Sequence, residues 1–251
     1  MKKIWLILLL CVLAVSCSQT KNDSVTVKNH LSMVHIKGFP TCYTDTVWQV
    51  EDIFGEPVKT GIKYLTKYEL NKLGNYTKTT SYKSDGKLDE VSTYEYTNDK
   101  TSRINVVGND YSEIITYYRT NDVIDSVYTI TKSNNEETLL REIHENIEKN
   151  VCKVHYFDIE LVGNYVNLYH YDDDGKLLKT VNGQTNKTSY ECFYKNDFLI
   201  EEITYVRDFI VKKEYKYDFD DRGSCIKIEK YNVENGIKTI EEITTRNIQY
   251  K

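Results

Sequence analysis

Proline is nearly missing from this 251-residue chain: Pro40 and Pro57 are the only two, and none follows Pro57. Backbone that must donate hydrogen bonds along central strands excludes proline, so the long proline-free stretch fits sheet. Glycine is scarce as well, with 11 residues placed mostly singly, and no glycine-rich loop is present that would cradle a phosphate. There is no Gly-x-Ser-x-Gly elbow and no Cys-x-x-Cys pair, which removes the usual hydrolase, zinc and redox-motif readings. Long hydrophobic runs are also lacking. The longest, Ile4 to Val15, has twelve residues, too few to span a bilayer as a helix. Basic charge is in deficit: the formal net charge of −5 becomes −7 once Lys2 and Lys3 are set aside, which weighs against a nucleic-acid partner.

The residues present at the N-terminus specify an address. Lys2 and Lys3 precede the apolar run, and small residues and a cysteine, Ser16-Cys17, follow it, as in a secretory signal. Ala14-Val15-Ser16-Cys17 resembles a bacterial lipobox, with Ala14 where leucine is usual. The resemblance implies cleavage before Cys17, acyl chains including palmitate on Cys17, and membrane attachment through lipid. Ser18 stands where aspartate would signal inner-membrane retention in the enterobacterial scheme, so the resemblance implies the outer membrane, with the periplasmic or cell-surface face left open. The expected organisation is therefore a signal peptide over 1–16, a lipidated Cys17 with a polar tether over 17–35, and one antiparallel β domain over 36–251.

Setting aside Cys11 and Cys17 leaves Cys42, Cys152, Cys192 and Cys225, an even number in an oxidising compartment. Four cysteines allow three pairings, and buried free thiols in a sheet are the alternative. Two stretches carry a helical period. Val47, Val50, Ile53 and Phe54 share a helical face ahead of Gly55 and Pro57, which predicts a short helix near 45–54. Leu139, Leu140, Ile143 and Ile147 do the same behind Ser133 and Glu136, which predicts a helix over 135–149; a strand pair turning at 133–136 is the alternative.

Elsewhere Tyr, Thr, Ile and Val are dense between Asp, Asn and Gly clusters, the pattern of strands and tight turns. Asp85-Gly86, Asp174-Gly175 and Asn235-Gly236 are hairpin signals, because type I′ turns need positive φ at both central residues. Tyr171, Tyr194 and Tyr217 recur every 23 residues, each ahead of an Asp/Asn-rich turn, and Tyr82 and Tyr231 begin similar units. Such a period fits one hairpin step of a meander. These units resemble the YD-repeat type of bacterial surface and secreted proteins, which implies an extracytoplasmic scaffold with no specific chemistry. The fold expected is mainly β: a curved antiparallel meander sheet or incomplete barrel, built from Tyr/Asp-Gly hairpin repeats, with one or two short helices.

Candidate chemistry is sparse. His144-Glu145 lacks a second histidine one helical turn on, so it reads as a solvated helix-face residue. Asp218 to Glu229 has the spacing of a calcium loop, but Arg222 occupies a ligand position and Ile226 with Ile228 alternate as in a strand, so a hairpin turn is expected. Tyr94 with Tyr96, and Tyr215 with Tyr217, lie at i, i+2 and share a face, giving candidate platforms for stacking on sugar rings. The reading is a non-catalytic, lipid-anchored envelope binding or scaffold protein without cofactor or metal. Its alternatives are an envelope-assembly accessory that holds a protein or lipid in an apolar groove, and a glycan-binding surface lipoprotein.

Overall fold

The computed structural model describes residues 34–250 apart from 122, 135, 159–164 and 208. The signal segment, the lipobox and most of the tether lie outside the described residues. The chain runs through β1 (Pro40–Ile53), β2 (Glu56–Leu70), β3 (Tyr76–Lys83), β4 (Leu88–Thr97), β5 (Lys100–Gly108), β6 (Tyr111–Thr120), β7 (Val123–Ser133) and β8 (Glu136–Glu148). It continues through β9 (Val151–Asp158), β10 (Tyr165–Tyr171), β11 (Leu177–Asn182), β12 (Thr188–Lys195), β13 (Phe198–Val206), β14 (Phe209–Phe219), β15 (Cys225–Glu234) and β16 (Ile237–Tyr250). Each strand pairs antiparallel with its sequence neighbours, and β1 pairs with β16, so the sheet closes into a barrel.

This corrects the expected architecture in two respects. The sheet is not an open or incomplete curve, because Tyr43↔Ile248, Asp45↔Arg246 and Val47↔Thr244 join its first and last strands. Among the described residues there is no helix. The stretch near 45–54 is most of β1, and Glu136–Glu148 is β8, paired with β7 through Ser133↔Glu136, which is the strand pair turning at 133–136 given as the alternative to a helix. In β1 the alternation of Tyr43, Asp45 and Val47 against Cys42, Thr44 and Thr46 decides for strand: Tyr43 and Val47 are buried while the intervening residues are not. Gly55 is not a helix cap but the second residue of a two-residue hairpin turn, where Phe54 (φ 56°) and Gly55 (φ 85°) both take positive φ. Asn235 and Gly236, at φ 51° and 79°, form the same kind of turn between β15 and β16.

Both ends of the described chain meet at one mouth of the barrel, the terminal mouth. Val34 to Phe39 fold across it. The Cys225 N–H donates to the His35 carbonyl at 2.9 Å, the Lys37 N–H to Ser224 Oγ at 2.9 Å, and Arg246 Nη1 to the Val34 carbonyl at 2.8 Å. Ile36 is buried against Tyr43, with Tyr68, Leu70, Tyr76 and Ile248 around them. Val34 and His35, within the segment expected to be tether, thus take part in this packing.

Directly paired residues of antiparallel strands share a face, so the register sorts the wall. The inward face carries three apolar clusters. One joins Cys152, Val154, Tyr156, Tyr169, Tyr171 and Leu177; the second joins Ile104, Val106, Ile115, Ile124 and Val127; the third is the terminal-mouth cluster already described. Between them the same face holds Asp45, Glu113, Glu142, Glu202, Glu242 and Arg246. Tyr171, Tyr194 and Tyr217, at the ends of β10, β12 and β14, all lie toward the terminal mouth, so the 23-residue spacing is one down-and-up step.

Candidate functional site

Three inward networks and the outer wall are where chemistry is concentrated. At the terminal mouth, Arg246 donates from Nε to Asp45 Oδ1 at 2.7 Å and from Nη2 to Oδ2 at 2.8 Å, a two-point pair whose side chains are 5% and 13% exposed. The guanidinium lies 4.9 Å from the Tyr43 ring, which stacks on Tyr68 at 4.4 Å, and the Tyr43 and Tyr76 hydroxyls meet at 2.6 Å. Burial first, then the neighbouring tyrosines, pushes the Tyr43 hydroxyl far above the ordinary tyrosine range, so it remains a neutral hydrogen-bonding group.

A second network lies across the barrel on β8 to β10. His144 was expected on a solvated helix face; it is instead an inward strand residue, with Nε2 3.0 Å from Glu142 Oε2 and both side chains about 5% exposed. The register explains this, since His144 pairs with Val154 and Glu142 with Tyr156, both in the core. Burial alone pushes the imidazole down. Hydrogen bonds to Cys152 and Glu142, together with the Glu142 charge, outweigh it and hold the imidazole at about 9. A folded-state value above the unfolded 6.5 means that this pair's contribution is fully present below about pH 6.5 and disappears as pH rises through 9. Urea midpoints are expected to fall between pH 6 and pH 9.5 by the equivalent of about 3 kcal/mol, and His144→Gln is expected to flatten that fall.

A third network crosses β12 to β16 and reaches β2. Tyr190 donates to Glu202 Oε2 at 2.6 Å; Lys63 and Glu242 pair at 3.0 Å; and Lys230 lies between Glu241 at 3.6 Å and Glu242 at 3.7 Å, with Lys213 3.1 Å from Glu241. Glu241 and Glu242 can both face Lys230 because β16 carries a bulge between Glu242 and Ile240, opposite Lys230 and Tyr231. Glu113 accepts from the Thr131 hydroxyl at 3.1 Å, and its burial raises its carboxyl above the usual range.

The sequence-singled tyrosines belong to these interior layers. Tyr94, Tyr96, Tyr215 and Tyr217 are all half-buried. Tyr94 lies 5.7 Å from the Tyr76 ring, Tyr96 donates to the Tyr76 carbonyl at 2.6 Å, and Tyr217 donates to the Leu199 carbonyl at 2.7 Å. Tyr215 sits beside Glu202, and burial pushes its hydroxyl up. The structure thus does not bring the four into one patch: Tyr94 and Tyr96 are on β4, and Tyr215 and Tyr217 on β14. Cys17 lies outside the described residues. Cys42, Cys152, Cys192 and Cys225 are free thiols, the last three buried, so of the two readings open to these cysteines the structure has free thiols in a sheet. Asp218 to Glu229 forms a turn closed by Asp220, whose Oδ1 accepts from the Arg222 and Ser224 N–H groups at 3.0 and 2.8 Å. Among the described residues no group of three or more His, Cys, Asp or Glu is arranged to hold a metal ion.

Sequence reading missed the Asp45–Arg246 and Glu142–His144 pairs. Nothing local marks the first, whose partners stand 201 residues apart; the second is visible only once 142 and 144 are read at a strand's period of two.

The outward face is also charged. Lys212 lies between Glu201 at 2.7 Å and Glu214 at 3.6 Å; Lys227 pairs with Glu229 at 2.7 Å; and Lys153 lies 3.7 Å from Glu145. Arg141, Lys179 and Glu191 continue this face around β8, β11 and β12. Among the described residues, outward mid-strand positions on β8, β11, β13 and β14 thus carry charge.

No family model and no curated protein matches the chain. Among solved structures it is similar to a porin-like protein from Bacteroides uniformis ATCC 8492, at 11% identity over 84% of this chain and 96% of that one, with a TM-score of 0.38. It is also similar to a DUF1329 family protein from Desulfovibrio piger ATCC 29098, at 11% identity over 88% and 90% of the two chains, with a TM-score of 0.22. Both likenesses are too distant to carry a function or a membrane placement to this chain.

Proposed function

We propose that this chain is a lipid-anchored β-barrel of the bacterial cell envelope that stands outside the bilayer and works as a binding or scaffold module, not as a catalyst. The observation that carries the reading is the outer wall. Charges such as Arg141, Lys179, Glu201 and Lys212 occupy mid-strand outward positions, where a spanning barrel needs hydrocarbon-compatible side chains. Each lysine or arginine placed near the bilayer midplane costs about 2–4 kcal/mol. Strand length points the same way: β10 and β11 have 7 and 6 residues, against the roughly 9–11 that a tilted spanning strand needs. Membrane attachment then falls to Cys17 and its acyl chains. The groove-holding alternative gains no helix from Glu136–Glu148, which is wall.

The test separates anchor from barrel. Wild type is expected to incorporate labelled palmitate and fractionate with membranes. Cys17→Ala is expected to lose the label, to be recovered folded in detergent-free buffer, and to give no conductance in planar bilayers. A Cys17→Ala protein that stays in the membrane fraction until detergent is added, and conducts, would overturn the reading in favour of a spanning barrel.

A further inference from the structure

At the mouth opposite the termini, the β1–β2 hairpin leaves the wall. Beyond Gln49, β1 has no partner in β16, and β2 meets β3 only from Tyr64 onward, so Val50 to Lys59 pair with each other alone. Every residue from Glu51 to Thr60 is exposed. The tip of this arm is apolar: Phe54 is 102% exposed and Ile53 is 42%. Phe54 also holds φ at 56°, a left-handed position that glycine or asparagine fills more cheaply. A fully exposed aromatic in a strained turn adds nothing to the barrel's own stability, which points to a contact outside it. Three carboxylates, Glu51, Asp52 and Glu56, lie within three residues of Phe54, and this charge opposes insertion into lipid. The occupant that fits is an apolar cleft with a basic border.

The outer wall supplies one at the terminal mouth. A cleft of about 540 Å³ lies over β9 to β12, with Leu178 and Phe193 in its wall and Lys149, His170, Lys179 and Glu191 around it. Leu178 and Phe193 are 40% and 43% exposed. Lys149 pairs with Asp173 at 3.0 Å, while Lys179 makes no ion pair among the described residues and faces His170 across the ladder. Burial and then the Lys179 charge lower the His170 imidazole against the opposing Glu148 charge, and Glu191 stands directly across the ladder from Lys179. The cleft lies on β9 to β12, five to eight places round the ring from β1 through β16, and at the other end, so a molecule's own arm does not reach it.

We propose that the β1–β2 arm docks into this cleft on a second copy of the chain, with Phe54 and Ile53 against Leu178 and Phe193 and the arm's carboxylates facing Lys179 and Lys149. The contact is heterologous, arm to cleft, so each copy offers one of each and assembly runs head to tail into a ring or an open chain. The size of the cleft suits an aromatic ring with an aliphatic neighbour.

Sedimentation velocity on the Cys17→Ala protein at low salt tests this over a concentration series. Concentration-dependent association is expected, weakened roughly tenfold or more by Phe54→Ser and by Lys179→Glu. Association is expected to return when Lys179→Glu is combined with Glu56→Lys. Phe54 is exposed and Lys179 half-buried, and circular dichroism checks that each variant is folded. Mixing the Phe54→Ser and Lys179→Glu proteins is expected to give a one-to-one dimer, because one contributes an intact cleft and the other an intact arm. A wild type that is monomeric throughout, or that binds phosphatidylethanolamine–phosphatidylglycerol vesicles through Phe54 instead of associating, would overturn the proposal. Loss through Phe54→Ser with no rescue by the charge swap would place the arm on a different partner and overturn it equally.

Discussion

Asp45→Ala is expected to lower the unfolding free energy by about 3–5 kcal/mol, because it strands Arg246 as a buried cation without its counter-charge. The pair is shielded from water and held by two parallel hydrogen bonds, and Arg246 also fixes the Val34 carbonyl. Typical domains have only about 5–15 kcal/mol of stability, so the variant is expected to be partly unfolded at 37 °C. Replacing both partners, as Asp45→Leu with Arg246→Met, is expected to recover most of the loss, since removing both charges leaves nothing uncompensated. Urea unfolding followed by far-ultraviolet circular dichroism reads both. If Asp45→Ala costs under about 1 kcal/mol, the ion pair is solvated and the account of the terminal mouth fails.

Tyr156→Ala is expected to cost about 3–5 kcal/mol, the range for losing a buried aromatic and leaving a cavity. The Tyr156 ring stacks on Tyr165 with centroids 4.4 Å apart, and its hydroxyl meets that of Tyr169 at 2.5 Å. It belongs to the cluster on β9 to β11 with Cys152, Val154, Tyr171 and Leu177. Tyr156→Phe keeps the ring and loses one hydrogen bond, so about 1 kcal/mol is expected. A phenylalanine variant as unstable as the alanine variant would show that the hydroxyl pair, not the ring, holds this wall. The barrel has no helix packed inside it among the described residues, so opposite walls depend on such rings to fill the space between them.

Turns were the most legible feature of the chain. Asn235-Gly236 is a two-residue hairpin turn, and Gly86 takes φ of 78° in the loop between β3 and β4, as its place after Asp85 suggests. The tyrosine period corresponds to two strands because each unit carries its own turn chemistry. Closure was not legible: Pro40↔Tyr250 and the pairs that follow it join positions about two hundred residues apart, and no local pattern records that. The helical reading of 135–149 has a physical cause. In β8, Leu139 and Leu140 face opposite sides and Glu142 points inward, so a wall polar on both faces breaks the alternation that marks a half-buried strand. A chance i, i+3, i+4 spacing of aliphatics then reads as a helix. The inward ion pairs were hidden for the same reason, since charged residues read as solvent-facing when the side of the wall is unknown.

The seam between β1 and β16 also sets a schedule. A chain made from its N-terminus presents β1 first, yet the strand that completes it is the last to arrive. Until Ile237 to Tyr250 emerge, one edge of β1 stays unsatisfied, along with the unsealed charge of Asp45. The nascent protein therefore passes through a sticky, sheet-edged interval whose length is set by synthesis of the whole domain, and truncating the final strand would make that interval permanent.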